Sequence, residues 1–189
     1  MQLRKLDSQE ILSIYTDHSV RHFPRNERKP ISSIRRMAKE GIYTGYGLFE
    51  KEGELLAYGF FTILPDKKTI LLDYFAVMEQ YRSCGIGSSF LKYTETALAD
   101  YDGILIESEN PDYAANEEER LVRDKRIAFY NRNGAISTGI LAKAFGVHYK
   151  VLFFPILSTP EKDSLCDDLR AIYQYMVPKI LYKTQIHIS

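Results

Sequence analysis

The residues best suited to chemistry lie in one stretch, Leu72-Asp73-Tyr74-Phe75-Ala76-Val77-Met78-Glu79-Gln80-Tyr81-Arg82-Ser83-Cys84-Gly85-Ile86-Gly87-Ser88. It reads as a strand, a tight glycine-bearing loop and the start of a helix. Such a loop exposes backbone amides at a helix N-terminus, where the partial positive charge favours a phosphate group. Gly85 and Gly87 lack the Cβ atoms that would hold a diphosphate away. Arg82 adds a full charge and Ser88 a hydroxyl donor. A Gly-x-Gly by itself is an ordinary turn, so the meaning comes from the arginine and the flanking elements. The Gly-Lys-Ser/Thr ending of a P-loop is missing, and so is the third glycine of a dinucleotide fingerprint.

The elements that must position this loop can be read on either side of it. Leu3–Leu6 suits a short strand. A helix follows through about Asp17, capped by Asp7 or Ser8, with Ile11, Leu12, Ile14 and Tyr15 as its apolar stripe. His22 to Pro30 is polar and holds two prolines, so it is a loop. Ile31 to about Glu40 is a second helix ended by Gly41. Three antiparallel strands are expected at Thr44–Glu50, Leu55–Leu64 and Thr69–Met78, the first two joined by a turn at Lys51-Glu52-Gly53-Glu54. Gly85–Ala99 reads as a helix, and Gly103–Ile106 as a strand buried on both faces. Asn116–Tyr130 is a charged amphipathic helix stopped by Asn133-Gly134. Two further strands fall near Ala135–Ile140 and Tyr149–Ile156, and a terminal helix spans Glu161 to about Tyr182.

With its arginine and flanks, the loop resembles motif A of the GNAT acetyltransferases, Gln/Arg-x-x-Gly-x-Gly/Ala. Arg82-x-x-Gly85-x-Gly87 meets that pattern at each position, and Phe75-Ala76-Val77 is similar to the end of the family's fourth strand. The resemblance runs from about Leu3 to Ile156. It implies an α/β GNAT fold: a mixed, twisted sheet of about seven strands flanked by helices, splayed between strands four and five, plus a C-terminal helix. In that family the loop amides bind the pyrophosphate of coenzyme A, and the end of the fourth strand pairs with the pantetheine arm. Carried over, this assigns Phe75, Ala76 and Val77 to the arm, and Arg82, Ser83, Cys84, Gly85, Ile86, Gly87 and Ser88 to the pyrophosphate. Downstream, Phe129-Tyr130-Asn131-Arg132-Asn133-Gly134-Ala135 resembles the family's Tyr-x-x-x-Gly-Phe ending. There the tyrosine protonates the departing thiolate, which makes Tyr130 the implied general acid. A phenol of pKa about 10 suits a thiol of about 8–9. Two departures stand out. Arg123 occupies the position where many members carry a pantetheine-binding asparagine, and Ala135 replaces the usual aromatic.

An ammonium acceptor must lose a proton before its nitrogen can attack a thioester. Three carboxylates are candidates for the base, in the order Glu109, Asp73, Glu107. Asp73 lies on the motif strand, and Glu107 and Glu109 close the next strand on one face. They read equally as strand-end charges, a structural acid or a cationic-substrate site, with solvent taking the proton. The family's loop between the first two helices walls the acceptor site, which implicates Phe23, Arg25 and Glu27 in substrate binding. An ordinary exposed loop is the alternative. Cys84 sits in the pyrophosphate loop, away from the acetyl group, so a covalent acetyl-cysteine is not expected. The lysines and arginines of 120–126 form a solvated face or meet the adenosine 3′-phosphate.

Composition narrows the classes. The 189 residues are 45% hydrophobic and 26% charged, an ordinary globular balance. The 25 basic and 25 acidic side chains cancel, so no net field steers the chain to nucleic acid or acidic membranes. Two cysteines and four scattered histidines give neither a disulfide framework nor a metal site. No apolar run approaches the roughly 20 residues of a membrane span. Met1-Gln2-Leu3-Arg4-Lys5 has no apolar stretch behind it, so the chain is expected to be cytoplasmic. A single domain over 1–189 is expected, with 161–183 as a helical extension that closes a homodimer or covers the sheet. The implied activity is transfer of an acetyl group from acetyl-CoA to a primary amine, a small molecule, in a ternary complex. The alternatives are a non-catalytic acyl-CoA sensor and a protein or peptide N-acetyltransferase.

Overall fold

The computed structural model describes residues 1–51 and 53–189. They form a mixed α/β fold of eight strands and six α-helices, organised as two compact units. The first unit comprises Met1–Asp66 and Leu72–Ala99, and the second Lys67–Leu71 and Asp100–Ser189.

In the first unit, β1 (Gln2–Leu6) pairs antiparallel with β2 (Tyr43–Phe49), Gln2 opposite Phe49 and Leu6 opposite Gly45. β2 pairs antiparallel with β3 (Leu55–Thr62), Tyr43 opposite Thr62. β4 (Thr69–Val77), of which Leu72–Val77 belongs to this unit, lies next in order, beyond β3. Helix α1 (Ser8–His22) starts as expected: Asp7 accepts from the amides of Gln9 and Glu10, and the Glu10 carboxylate accepts from the Asp7 amide. That reciprocal box satisfies donors the helix cannot. The helix runs beyond Asp17 because no breaker precedes Pro24, which holds Phe23 in extended backbone. Ile34 and Met37 of α2 (Ile31–Lys39) are fully buried. Helix α3 (Ile86–Ala97) brings Phe90 against Gly59, where a Cβ would meet the ring at 2.8 Å, and stacks it on Phe75 at 4.9 Å. A side chain on β3 at Gly59 would push α3 away.

In the second unit, β5 (Gly103–Glu109) pairs antiparallel with β7 (Val147–Pro155), which pairs antiparallel with β6 (Ile136–Ala144). β5 extends past Ile106 because Glu107 and Glu109 alternate with the fully buried Ser108, a half-buried strand end. Helix α4 (Glu117–Arg132) is capped by the Asn116 side chain on the Glu119 amide at 2.9 Å. The expected single terminal helix is instead α5 (Lys162–Met176) and α6 (Lys179–Gln185). Pro178 explains the break, since it forces Val177 into extended backbone. The chain ends in β8 (Ile186–Ile188), antiparallel to β6, which brings the strand number to eight instead of about seven. Three residues carry no periodicity; β8 is held by tertiary pairing, closed by reciprocal bonds of 2.9 Å between Ser189 and Leu141.

Candidate functional site

The strand–loop–helix stretch is built as its sequence implies. After Val77 comes a 3₁₀ turn over Glu79–Tyr81, and α3 starts from Gly85 at φ +77°. Ser83 also adopts a left-handed backbone, at φ +62°. Gly85 takes this conformation at no steric cost, while Ser83 bears some strain. Among the described residues no side chain caps α3, so its first-turn amides keep their partial charge for an incoming group. Arg82, Ser83, Cys84, Gly85 and Ser88 are exposed, Ile86 is half-buried and Gly87 buried. The Cys84 thiol is 3.5 Å from the Arg82 carbonyl. On the strand before them Phe75 and Val77 are half-buried and Ala76 is buried. An exposed arginine, a glycine turn and an uncapped helix start fit a diphosphate, so the coenzyme A pyrophosphate suits this chain's own residues.

The same unit carries the candidate acceptor wall. Phe23 packs edge-on against Tyr74 at 4.8 Å, and Arg25 and Glu27 form a 3₁₀ turn. The Tyr74 hydroxyl donates to the Glu27 carbonyl at 2.8 Å and accepts from the Lys29 amide at 2.9 Å. Tyr15 donates to the Lys29 carbonyl at 2.6 Å. Asp73 completes the clasp: one oxygen meets the Lys29 ammonium, and the other accepts from Tyr43 at 2.6 Å. Its side chain is only 5% exposed, so this carboxylate is committed to an ion pair. Burial pushes the Tyr15, Tyr43 and Tyr74 phenols up, keeping each protonated as a donor. Nearby, His22 Nδ1 lies 2.9 Å from the Tyr58 hydroxyl.

The second unit holds the other candidates. Glu109 is saturated by arginines: Arg126 donates to Oε2 at 2.9 Å, and Arg123 lies 3.0 Å from Oε1. Arg123, buried in α4, also donates to the Asn110 carbonyl at 2.8 Å and to Glu119 at 2.6 Å. The Ala115 amide and then Arg123 hold the Glu119 carboxyl below its usual value. Glu107 differs, meeting the Tyr173 hydroxyl at 2.8 and 3.0 Å. Tyr130 is 7% exposed, and its pKa is pushed up to about 12 by burial, with Arg126 pulling against it.

Lys29 and Tyr43, the partners that hold Asp73, have no role in the sequence reading, and neither has Tyr173. A signal for the first group existed. An aspartate inside the apolar run Leu71-Leu72-Asp73-Tyr74-Phe75 demands a buried partner. Among the described residues no group of three or more His, Cys, Asp and Glu side chains could hold a metal ion. No helix among them is long and apolar enough to cross a membrane.

A glycine-bearing turn after the fourth strand, opening a helix inside a mixed α/β fold, defines the class. The chain belongs to the acetyltransferase (GNAT) family, which it matches over residues 9–134. Among solved structures it is similar to a putative GNAT acetyltransferase from Bacteroides thetaiotaomicron, at 15% identity and TM-score 0.71 over 94% of this chain and 100% of that one. It is also similar to the ribosomal-protein-S18-alanine N-acetyltransferase from Escherichia coli, at 16% identity and TM-score 0.60 over 85% and 96%. A third is the spermidine N-acetyltransferase from Vibrio cholerae in complex with CoA and spermine, at 9% identity and TM-score 0.60 over 82% and 95%. At these identities the likeness is one of fold. No curated protein matches the sequence.

Proposed function

We propose that this chain transfers the acetyl group of acetyl-CoA directly to a primary amine on a small molecule. The observation that carries the proposal is the Arg82–Ser88 loop: exposed, turned through left-handed Ser83 and Gly85, and opening an uncapped helix. Bound acetyl-CoA would supply an activated thioester. The chain's own residues would hold the pyrophosphate on the loop and line the pantetheine arm with the Phe75–Val77 main chain.

Tyr130 serves the leaving thiolate. A phenol raised to about 12 stays protonated throughout the neutral range, so it is always available as a donor. It is also a weaker acid than the thiol it would protonate, so it acts mainly by a hydrogen bond to developing negative charge. Asp73 and Glu109 each hold cations, and accepting a proton would break those pairs. Glu107, which accepts from the Tyr173 hydroxyl, is the base to test, with solvent as the alternative.

Isothermal titration with acetyl-CoA, CoA and desulfo-CoA tests the proposal. Saturable binding is expected, and folded protein that binds none of them sinks it. With an amine found by thiol release, Tyr130→Phe should lower kcat about 100-fold while CoA affinity holds. An unchanged rate removes Tyr130 from the mechanism and favours an acyl-CoA sensor. Glu107→Gln should erase the acid limb of the kcat profile; an identical limb assigns the proton to solvent.

A further inference from the structure

We propose that the acceptor wall of the first unit takes an amine that also carries an anionic group, a carboxylate or a phosphate, and that Arg28 holds that group. The inference rests on the acetyl-transfer function proposed above and names the acceptor class for the same site.

Between Arg21 and Lys29 the chain sets four cationic side chains, Arg21, Arg25, Arg28 and Lys29, against one carboxylate, Glu27. Lys29 is neutralised by Asp73, and in the same contact Asp73 is used up. Its second oxygen is taken by Tyr43 at 2.6 Å, so neither oxygen is left for a substrate ammonium. Asp73 is thus buried against the protein's own lysine, and Glu27 is left as the one carboxylate among the four cations of the loop.

Arg28 is in the opposite position. The residue stays partly exposed, yet its Nε is sealed from solvent with no hydrogen-bond partner among the described residues. A guanidinium N–H withdrawn from water without an acceptor is costly, and such groups in native proteins call for a missing partner. The planar guanidinium fork matches carboxylate and phosphate oxygens. The backbone around it is fixed: the Glu27 carbonyl is tied to Tyr74, and the Lys29 amide and carbonyl to Tyr74 and Tyr15. A cation on a segment held from both sides binds an anion with little ordering cost. The lowered pKa of His22 fits a positive potential on this side, since after burial its main cause is Arg82.

The test is titration of CoA-saturated protein with phosphoethanolamine, β-alanine and spermidine, for the wild type, Arg28→Gln and Arg28→Lys. CoA binding is measured first, and its absence overturns the acetyl-transfer proposal itself. With CoA bound, the wild type should take at least one of the two anionic amines in preference to spermidine, and the stronger of them shows whether phosphate or carboxylate is preferred. Arg28→Gln should weaken that binding about tenfold or more, with Arg28→Lys between the two and CoA affinity unmoved in both. Equal or tighter binding of spermidine overturns the proposal, as does failure of both anionic amines to bind. So does an Arg28→Gln variant that binds them normally, or one that loses CoA instead.

Discussion

Asp73 in the first unit and Glu109 in the second are both carboxylates held by cations, yet they do different work. Asp73 is 5% exposed and reaches a lysine 44 residues away, fastening a loop to a strand. Glu109 is 16% exposed and meets Arg126, 17 residues on, and Arg123, both on the helix that follows its own strand. The first pair is a long-range clasp and the second a local one. Breaking the Asp73 pair leaves Lys29 without a counter-ion, which costs much; losing Glu109 leaves Arg123 still paired with Glu119 and Arg126, 43% exposed, in solvent, which costs less. The comparison therefore predicts that the wall near Lys29 depends far more on its carboxylate than the β5–α4 connection does.

The largest expected effect follows from removing one side of the buried pair. Asp73→Ala should cost about 3 kcal/mol in urea unfolding, since Lys29 loses its counter-ion. The double variant Lys29→Met with Asp73→Leu should recover most of that loss, because apolar partners of similar size need no desolvated charge. A double variant no better than the single would show that Tyr43 and the loop carry the stability, and the comparison would fail. In hydrogen exchange, the amides of Glu27–Lys29 should lose protection first, as the clasp holds that segment.

Arg123 and Arg126 divide the second region in the same way. Arg123 is buried and bonds a carbonyl as well as two carboxylates, so Arg123→Ala should cost about 2 kcal/mol. Arg126 is 43% exposed, and Arg126→Ala should fall within about 0.5 kcal/mol of the wild type. Equal losses from both would mean that Glu109, not burial, sets the cost. At Arg123 the terminal guanidinium nitrogens join α4 to Asn110, Glu109 and Glu119, while Nε has no hydrogen-bond partner among the described residues.

Local signals carried most of the architecture into the sequence. The capping box at Asp7, the turn at Gly85 and the stop at Asn133-Gly134 are each short-range, and the helices and strands around them follow. The turn that opens α3 is legible for the same reason, since Arg82, Gly85 and Gly87 lie within six residues. What stayed hidden depends on distance along the chain. The partner of Asp73 lies 44 residues upstream and that of Glu107 66 residues downstream. Nothing in the spacing of either pair announces it. The β8 strand is hidden because its three residues gain their form only from β6, whereas Pro178 marks the break between α5 and α6 in the sequence itself.

The smallest expected effect reports most directly on the sign of charge in the first region. His22 is held neutral by burial, then by Arg82, His18 and Arg21, against the opposing pull of Glu79. Tyr58, kept protonated by burial, can donate to Nδ1 only while the imidazole is neutral. The folded pKa therefore lies below the ordinary value of about 6.5. A depressed pKa means that His22 contributes stability above about pH 6.5, which is lost as pH falls through the lower folded value. Between roughly pH 7.5 and 5 the wild type should lose a fraction of a kcal/mol that His22→Gln does not, in urea midpoints at matched salt. CoA supplies the sharper form of the test. Two phosphates placed on the Arg82 loop should offset that arginine's field and raise the His22 pKa, read from its ring protons by NMR titration with and without CoA. A His22 pKa that stays fixed while CoA binds would put the phosphates elsewhere and separate the basic wall from the cofactor loop.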